Sequence, residues 1–324
     1  MERYELSHAI VSGQSALAPG AIKPEGLSLA IGFFDGVHLG HAEVVKRAVS
    51  LAKRQGLKPA VLTFDPHPRT ILGHDGYHTV LTPLDDKLSL LAELGMEVAY
   101  VVSFDMGFAE VSAERFVTEL LLPLGVKTAV VGFDFKFGHR GRGNAELLRT
   151  AGGGTIDVQV VEPVFQGGAK VSSTRIREML SAGRCDEAEK LLGRPYAITG
   201  VVVHGDARGR LLGFPTANMK PDVPYVLPLH GVYAVTIDGV DGAADTRKGV
   251  INVGLRPTFD APGGVPKLET HLFDFDGDLY GQNLTVRFRS FLRPETKFAS
   301  FDELKAQIGR DAESARAALA SASL

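Results

Sequence analysis

Two histidines at short spacing follow the first apolar run of the chain. His38 and His41 bracket Gly40 in the stretch GFFDGVHLGH, residues 32–41. Imidazoles can donate hydrogen bonds to phosphate oxygens as charge builds up in a transition state. Glycines allow sharp turns and a close approach of backbone to ligand. The candidates in this stretch to line a phosphate-binding site are therefore the glycines and their neighbours: Gly32, Phe33, Asp35, Gly36 and Gly40.

This stretch fits neither of two familiar phosphate-binding patterns. No Gly-Lys-Ser/Thr follows it, as a P-loop requires, and its glycine spacing does not match the dinucleotide fingerprint. Two surface histidines near a helix cap are the alternative interpretation. We expect a phosphate-binding turn of a different kind.

A second set of polar residues lies in the last third of the chain. Thr216 and Asn218 are two positions apart, so their side chains share one face of an extended segment. Hydroxyl and amide oxygens are ligands that suit Mg²⁺. Glu269 lies in an apolar strand pattern, where partial burial can tune a carboxylate for general-base work. Each feature alone is also typical of a common turn or of a solvated strand.

Alternating apolar and helical patterns in the first half indicate which elements must position the histidines. Strands are predicted at residues 27–33, 59–64, 98–104, 128–133 and 155–161, and helices at 41–54, 87–94 and 113–122. This alternation predicts right-handed crossovers and a parallel sheet, with ligands at the carboxyl ends of the strands. The histidines would then lie at the first strand–helix turn, where the helix N-terminus favours phosphate.

The second half has a different pattern, in which strands follow one another closely. Short helices are predicted at 174–182 and 186–192, strands at 197–203, 231–237, 249–253, 267–273 and 284–291, and an amphipathic helix at 300–320. Closely spaced strands with turn residues between them favour a small antiparallel barrel. We therefore expect an α/β domain over residues 1–187 and a β domain over 188–324.

Composition limits the classes of protein to consider. The chain has 324 residues, a net charge of -3 and one cysteine. Two domains are expected at this length, and the slight acidity argues against a protein that coats nucleic acid. The N-terminus lacks the basic and apolar run of a signal peptide, and no apolar stretch is long enough to cross a membrane. We expect a cytoplasmic enzyme of small molecules, without nucleic-acid or membrane partners.

Four motifs in the first half together resemble a known family. The HxGH turn is similar to that of the nucleotidyltransferase superfamily, which includes the class I aminoacyl-tRNA synthetases. With TFDPHP (63–68), VGFDFKFG (131–138) and SSTRIR (172–177), it resembles the adenylyltransferase half of bacterial bifunctional riboflavin kinase/FAD synthetase. The resemblance implies a Rossmann-like domain in which the FMN phosphate attacks the α-phosphorus of ATP and releases pyrophosphate.

Particular residues take roles by this resemblance. His38, His41 and Arg175 would stabilise the ATP phosphates as catalytic groups, and Ser173 and Thr174 would complete the phosphate site. Arginine can grip phosphates bidentately, and hydroxyls at a helix start can bind phosphate. Loops after the second and fourth strands would provide walls for the flavin or adenine, from Asp65, His67, Phe133, Asp134 and Phe137.

The second half resembles the riboflavin kinase module of the same family. The matching stretches include GRLLGFPTAN (209–218), NVGLRPTF (252–259), LETHLFDF (268–275) and FLRPE (291–295). By this resemblance Thr216 and Asn218 bind the Mg²⁺ of Mg-ATP, and Glu269 accepts the proton of the ribityl hydroxyl that attacks the γ-phosphate. Other implied positions are Gly205, Arg210 and Gly213 at the nucleotide and Arg293 near the flavin. Ala207 departs from the family, whose turn often has glycine there.

Three other hypotheses remain at this point. An RNA enzyme related to class I synthetases would need a KMSKS-like lysine loop, where this chain has SSTRIR. A non-catalytic flavin-binding protein would have lost the catalytic positions, which are present here. The third alternative is a chain in which only one half is active. The favoured hypothesis is one enzyme that converts riboflavin to FMN in the barrel and FMN to FAD in the N-terminal domain.

Overall fold

The computed structural model describes residues 1–74, 76–205, 213–242, 245–256 and 265–320. The chain divides into two compact units, Met1–Ser173 and Thr174–Leu324. The functional boundary expected after residue 187 stays a prediction. Among the described residues, no helix is both long enough and apolar enough to cross a membrane.

The first unit is built on a six-stranded sheet whose strands all run parallel. Its strands are β1 (Glu2–Leu6), β2 (Leu27–Ile31), β3 (Lys58–Asp65), β4 (Val98–Ser103), β5 (Val126–Gly132) and β6 (Asp157–Val161). Their spatial order is β1-β4-β3-β2-β5-β6. Strand β2 is buried along its whole length, as is usual for a parallel strand covered on both faces.

Helices cover both faces of this sheet. They are α1 (His8–Val11), α2 (Leu39–Gln55), α3 (Pro68–Ile71), α4 (Leu84–Glu93), α5 (Met106–Ala109), α6 (Ala113–Arg115) and α7 (Ala145–Ala151). Alternate residues of β2 enter different apolar clusters, because Leu29 and Ala30 point to opposite faces. The parallel α/β fold expected from the sequence is therefore confirmed.

Several elements of this unit differ from the sequence expectation. Strand β1 was not predicted, because it is an edge strand that exposes most of its residues and buries only Leu6. The helix predicted at 113–122 is the short α6 followed by a π-helical turn, Phe116–Leu121. A small hairpin of β7 (Phe165–Gln166) and β8 (Ala169–Lys170) was also missed.

The second unit contains a closed antiparallel barrel. Two helices, α8 (Ser173–Ser181) and α9 (Cys185–Leu192), precede it; the first residue of α8 belongs to the first unit. The barrel strands are β9 (Tyr196–Val203), β10 (Ala217–Lys220), β11 (Gly231–Asp238), β12 (Arg247–Arg256), β13 (Val265–Leu272) and β14 (Asn283–Pro294). The spatial order is β10-β13-β12-β11-β14-β9, and short β10, which was not predicted, closes the barrel between β13 and β9.

The C-terminal helix α10 (Phe301–Ala320), which the periodicity predicted, packs on the barrel. Ala315 and Leu319 bury against a cluster that includes Val232 of β11. A buried ion pair adds to this contact: Arg293 of β14 donates to both carboxylate oxygens of Asp311, at 2.7 to 3.0 Å. Asp311 is 5% exposed, and Nε2 of Gln307 also donates to its carboxylate at 2.8 Å.

Replacing Asp311 with alanine should therefore destabilise the barrel. The change leaves the guanidinium of Arg293 without its carboxylate in a largely buried place, at a cost of about 3 kcal/mol. Native-state hydrogen exchange in β11 and β14 would measure the loss. Glu313→Ala on the exposed face of the same helix is the control. Equal exchange in both variants would show that the ion pair contributes no net stability.

Candidate active sites

The turn between β2 and α2 carries the two histidines. His38 is the N-cap residue of α2, and its Nδ1 accepts a hydrogen bond from the main-chain N–H of His41 at 3.2 Å. An accepting Nδ1 carries no proton, so the proton of the neutral ring lies on Nε2. The cap therefore leaves His38 with a hydrogen-bond donor at the N-terminus of a long helix.

The rings of His38 and His41 lie on top of each other. Their centroids are 3.6 Å apart and their planes differ by 13°. Gly40 makes this possible, because a β-carbon there would lie 3.2 Å from Cε1 of His38. Two stacked imidazoles at the positive end of a helix dipole form a place suited to phosphate. The alternative of two unrelated surface histidines is disfavoured, since His38 is only 6% exposed.

Asp35 anchors the same turn from within. Its carboxylate accepts main-chain hydrogen bonds from Leu81 at 2.8 Å and Thr82 at 3.1 Å, and the residue is 4% exposed. Its carbonyl accepts a hydrogen bond from Oγ of Ser173 at 2.9 Å. The structure thus brings Ser173 to the histidine turn and gives Asp35 a positioning role.

Other residues expected at the phosphates are placed as follows. Gly32 and Phe33 form the start of the turn, and Gly36 has a φ of 86°, a conformation that suits glycine. Thr174 and Arg175 continue α8 directly after Ser173; the threonine is exposed and the arginine is half-buried. Their contact with phosphate stays a prediction.

Residues expected to line the flavin site follow β3 and β5, the two neighbours of β2 in the sheet. Asp65 is the exposed last residue of β3. The His67 ring lies 4.0 Å from the Phe33 ring and 4.7 Å from the Tyr77 ring, centroid to centroid. These three rings form an aromatic cluster beside the histidine turn. Tyr77 was missed by the sequence analysis, since nothing in its neighbourhood marks it.

The loop after β5 presents one exposed aromatic side chain and one buried one. Phe133 is 44% exposed, and Nζ of Lys170 lies 4.1 Å from its ring centroid and 2.9 Å from the carboxylate of Asp134. Phe137 instead is 7% exposed and stacks on Phe135 at 5.2 Å. Its side chain belongs to the core of the unit, and the contact with flavin expected for it stays a prediction.

Strand pairing in the barrel brings the second set of polar residues together. Asn218 of β10 lies directly opposite Glu269 of β13, so their side chains are cross-strand neighbours on one face. Thr216 lies one position before β10 and is exposed. Gly205 packs against Asn218 so closely that a β-carbon would lie 2.2 Å from the amide nitrogen, which explains the glycine.

Two residues flanking Glu269 complete this face and were missed in the sequence. Nζ of Lys267 lies 2.8 Å from Oε2 of Glu269. His271 donates from Nδ1 to the carbonyl of Pro215 at 2.7 Å, since a carbonyl can only accept, and so holds the residue before Thr216. The two-residue period of a strand could have indicated both, because Lys267, Glu269 and His271 share one face.

The remaining expected site residues have mixed outcomes. Gly213 is exposed and has a φ of 82°. Arg210 and the departure at Ala207 lie outside the described residues. Arg293 is engaged with Asp311, so the structure gives it a structural role, and its contact with flavin stays a prediction. No group of three or more His, Cys, Asp or Glu side chains suited to a metal occurs among the residues that the structure describes.

Comparison with known proteins agrees with both units. Residues 21–175 match the FAD synthetase family and residues 192–319 match the riboflavin kinase family. A bifunctional riboflavin kinase/FMN adenylyltransferase of Listeria monocytogenes is 41% identical over 89% of this chain and 91% of its own. The protein of that name from Escherichia coli is 42% identical over 90% of this chain and 92% of its own.

A solved structure supports the fold over the whole chain. The crystal structure of a Streptococcus pneumoniae protein described as a macrolide-efflux protein has a TM-score of 0.84 and 32% identity, covering 97% of this chain and 99% of that one. That description applies to the other protein and is not transferred. Identity above 40% over nine-tenths of the chain, with both family matches in order, shows that the chain belongs to the bifunctional riboflavin kinase/FMN adenylyltransferase family.

Proposed function

We propose that this chain carries out the two activities of its family at two separate sites. The barrel phosphorylates riboflavin to FMN with ATP, and the first unit adenylylates FMN to FAD and releases pyrophosphate. The observation that carries this division is that each unit holds its own chemical groups: stacked His38 and His41 in the first, and paired Asn218 and Glu269 in the second. Family membership disfavours the RNA-enzyme alternative.

Adenylyl transfer needs stabilisation of charge more than a protein nucleophile. A phosphate oxygen of FMN attacks the α-phosphorus of ATP while the bond to the pyrophosphate oxygen breaks, so negative charge grows on the leaving group. The Nε2–H of His38, the ring of His41 and the N-terminus of α2 can bind that charge. Ser173, Thr174 and Arg175 are proposed to hold the same phosphates.

Phosphoryl transfer in the barrel needs a base for the ribityl hydroxyl. Glu269 is proposed to accept that proton as the hydroxyl oxygen bonds to the γ-phosphorus and ADP leaves. The ammonium of Lys267, 2.8 Å from Oε2 of Glu269, holds that carboxylate on the strand face that it shares with Asn218.

Mg²⁺ is proposed to accompany ATP in the barrel. Thr216 and Asn218 offer the hydroxyl and amide oxygens that this ion prefers, and the close fit of Gly205 holds the Asn218 amide in place. When bound, the ion would neutralise phosphate charge next to Glu269. The donor set therefore fits, with phosphate and water completing the coordination.

The proposed function is tested by separating the flavins formed from riboflavin, ATP and Mg²⁺ with purified protein. We expect FMN first and then FAD. Formation of neither product would overturn the proposal, and FMN alone would limit the activity to the barrel. Supplying FMN directly isolates the second step, and the two assays then serve as controls for each other.

The two functions of the His38 ring can be separated by substitution. Asparagine places an acceptor where Nδ1 lies, so His38→Asn should keep the helix cap and lose the Nε2–H. We expect FAD formation to fall at least about a hundredfold with unchanged melting temperature. His38→Ala should also lose about 1 kcal/mol of stability. FMN formation should be normal in both; its loss would contradict the assignment of two independent sites.

Removing the proposed base should slow FMN formation and leave FAD formation unchanged, the reverse of the effect expected for the His38 variants. Glu269→Gln keeps the side-chain shape but cannot accept the proton, so we expect FMN formation to fall about a hundredfold or more. FAD should still form from supplied FMN. Glu313→Gln, an exposed glutamate of the same unit, is the matched control. Normal FMN formation by Glu269→Gln would exclude the role of Glu269 as base.

Loss of one proposed metal ligand should appear in the metal dependence. Thr216→Val keeps the shape and removes the hydroxyl oxygen, so the Mg²⁺ concentration for half-maximal FMN formation should rise about tenfold. The Mg²⁺ dependence of FAD formation should not change. Thr246→Val, on the hydroxyl that bonds Asp238, is the control. An unchanged Mg²⁺ dependence in Thr216→Val would show that this hydroxyl is not a ligand.

A further inference from the structure

Lys87 is a buried cation that none of the proposed chemical steps uses. It lies on α4 and is 1% exposed, beside the core residues Leu88 and Leu91. Its Nζ donates to the main-chain carbonyl of Phe33 at 3.1 Å and lies 4.2 Å from the centroid of the Phe33 ring. Burying an ammonium group costs free energy, so a lysine at this buried position indicates that its charge has a function.

The carbonyl held by Lys87 belongs to the start of the histidine turn. The same oxygen accepts a second hydrogen bond, from Oγ1 of Thr63 at 3.0 Å. Directly after it, Phe34 and Val37 adopt φ values of 59° and 40°. Bulky side chains rarely enter this left-handed region, so both residues strain the backbone of the turn. The turn therefore persists only because its surroundings hold it.

Charges around Lys87 also belong to this turn and its neighbour. The carboxylates of Asp35, within the turn, and Asp65, at the end of β3, act on the ammonium through space. Asp35 in turn holds the main chain at Leu81 and Thr82, just before α4 begins. Hydrogen bonds therefore connect the histidine turn to α4, through Lys87, and to the segment just before α4, through Asp35. The Phe33 ring is also in contact with His67, at 4.0 Å between ring centroids.

We propose that Lys87 is a positioning residue for adenylyl transfer, which fixes the Phe33 carbonyl and so keeps His38 and His41 in place for the phosphates of ATP. The inference rests on the proposed function of the first unit. It predicts that the charge of Lys87 serves the rate of FAD formation, while the barrel reaction does not depend on it.

The direction in which the protonation of Lys87 changes protein stability distinguishes a positioning role from a purely stabilising one. Burial lowers the pKa of Lys87 to about 8, against the opposing effect of Asp35 and Asp65. Because the unfolded chain binds this proton more tightly, the group's contribution to stability increases as pH rises above the folded pKa. A fall in FAD formation over the same range therefore cannot come from Lys87 destabilising the fold.

The decisive variant is Lys87→Met, which keeps the length of the side chain and removes its charge and donors. Lys46→Met, at an exposed lysine of the same unit, is the matched control. For FAD formation we expect kcat to fall at least about tenfold in Lys87→Met, with the KM for FMN changed less than about twofold. Lys87→Arg should recover part of the rate, and Lys46→Met and the FMN assay should remain normal.

The pH profile gives a second readout. In the wild type, kcat for FAD formation should decline as pH rises through about 8, and Lys87→Met should lack that decline. A kcat within about twofold of wild type in folded Lys87→Met would overturn the proposal. If that variant does not fold, a wild-type kcat that stays flat from about pH 7 to 9 overturns it instead. A wild type that forms no FAD would refute the proposed function itself.

Discussion

A single hydrogen bond, from the N–H of His41 to Nδ1 of His38, sets the chemistry of the first unit. It starts α2 and at the same time decides which ring nitrogen can act as a donor. Strand β2 delivers the chain to this point, Gly40 leaves room for the stacked rings, and Asp35 and Lys87 hold the turn. The rest of the parallel sheet is the frame that keeps those contacts in place.

The barrel positions its proposed catalytic groups in a different way. There the reacting groups are placed by strand register, since Asn218 and Glu269 are opposite each other in adjacent strands. Neighbours two positions away on β13 then hold the site in place: Lys267 pairs with the Glu269 carboxylate, and His271 donates to the carbonyl of Pro215. One unit thus relies on a helix end and the other on a hydrogen-bonded ladder, although both are proposed to handle the phosphates of ATP.

Local patterns predicted the parts of the structure that local physics determines. Alternating apolar runs located most strands, and the spacing of His38 and His41 indicated the phosphate turn. Strands β1 and β10 were missed because one is mostly exposed and the other is very short. The roles of Asp35 and Lys87 arise from contacts between residues far apart in sequence, which no local pattern reports. The burial of Phe137 has the same origin, since its ring contacts that of Phe116, at 5.3 Å between centroids.

The pairing of Asn218 with Glu269 also limits how the length of the chain can change. One residue inserted into β13 directly ahead of Glu269 would turn the Glu269 side chain into the barrel, where Thr270 is now buried. An insertion of the same size in the connection between β9 and Thr216 leaves that alternation intact. Among homologues of this chain, insertions and deletions should therefore occur in the connections between strands rather than in the short β10–β13 ladder.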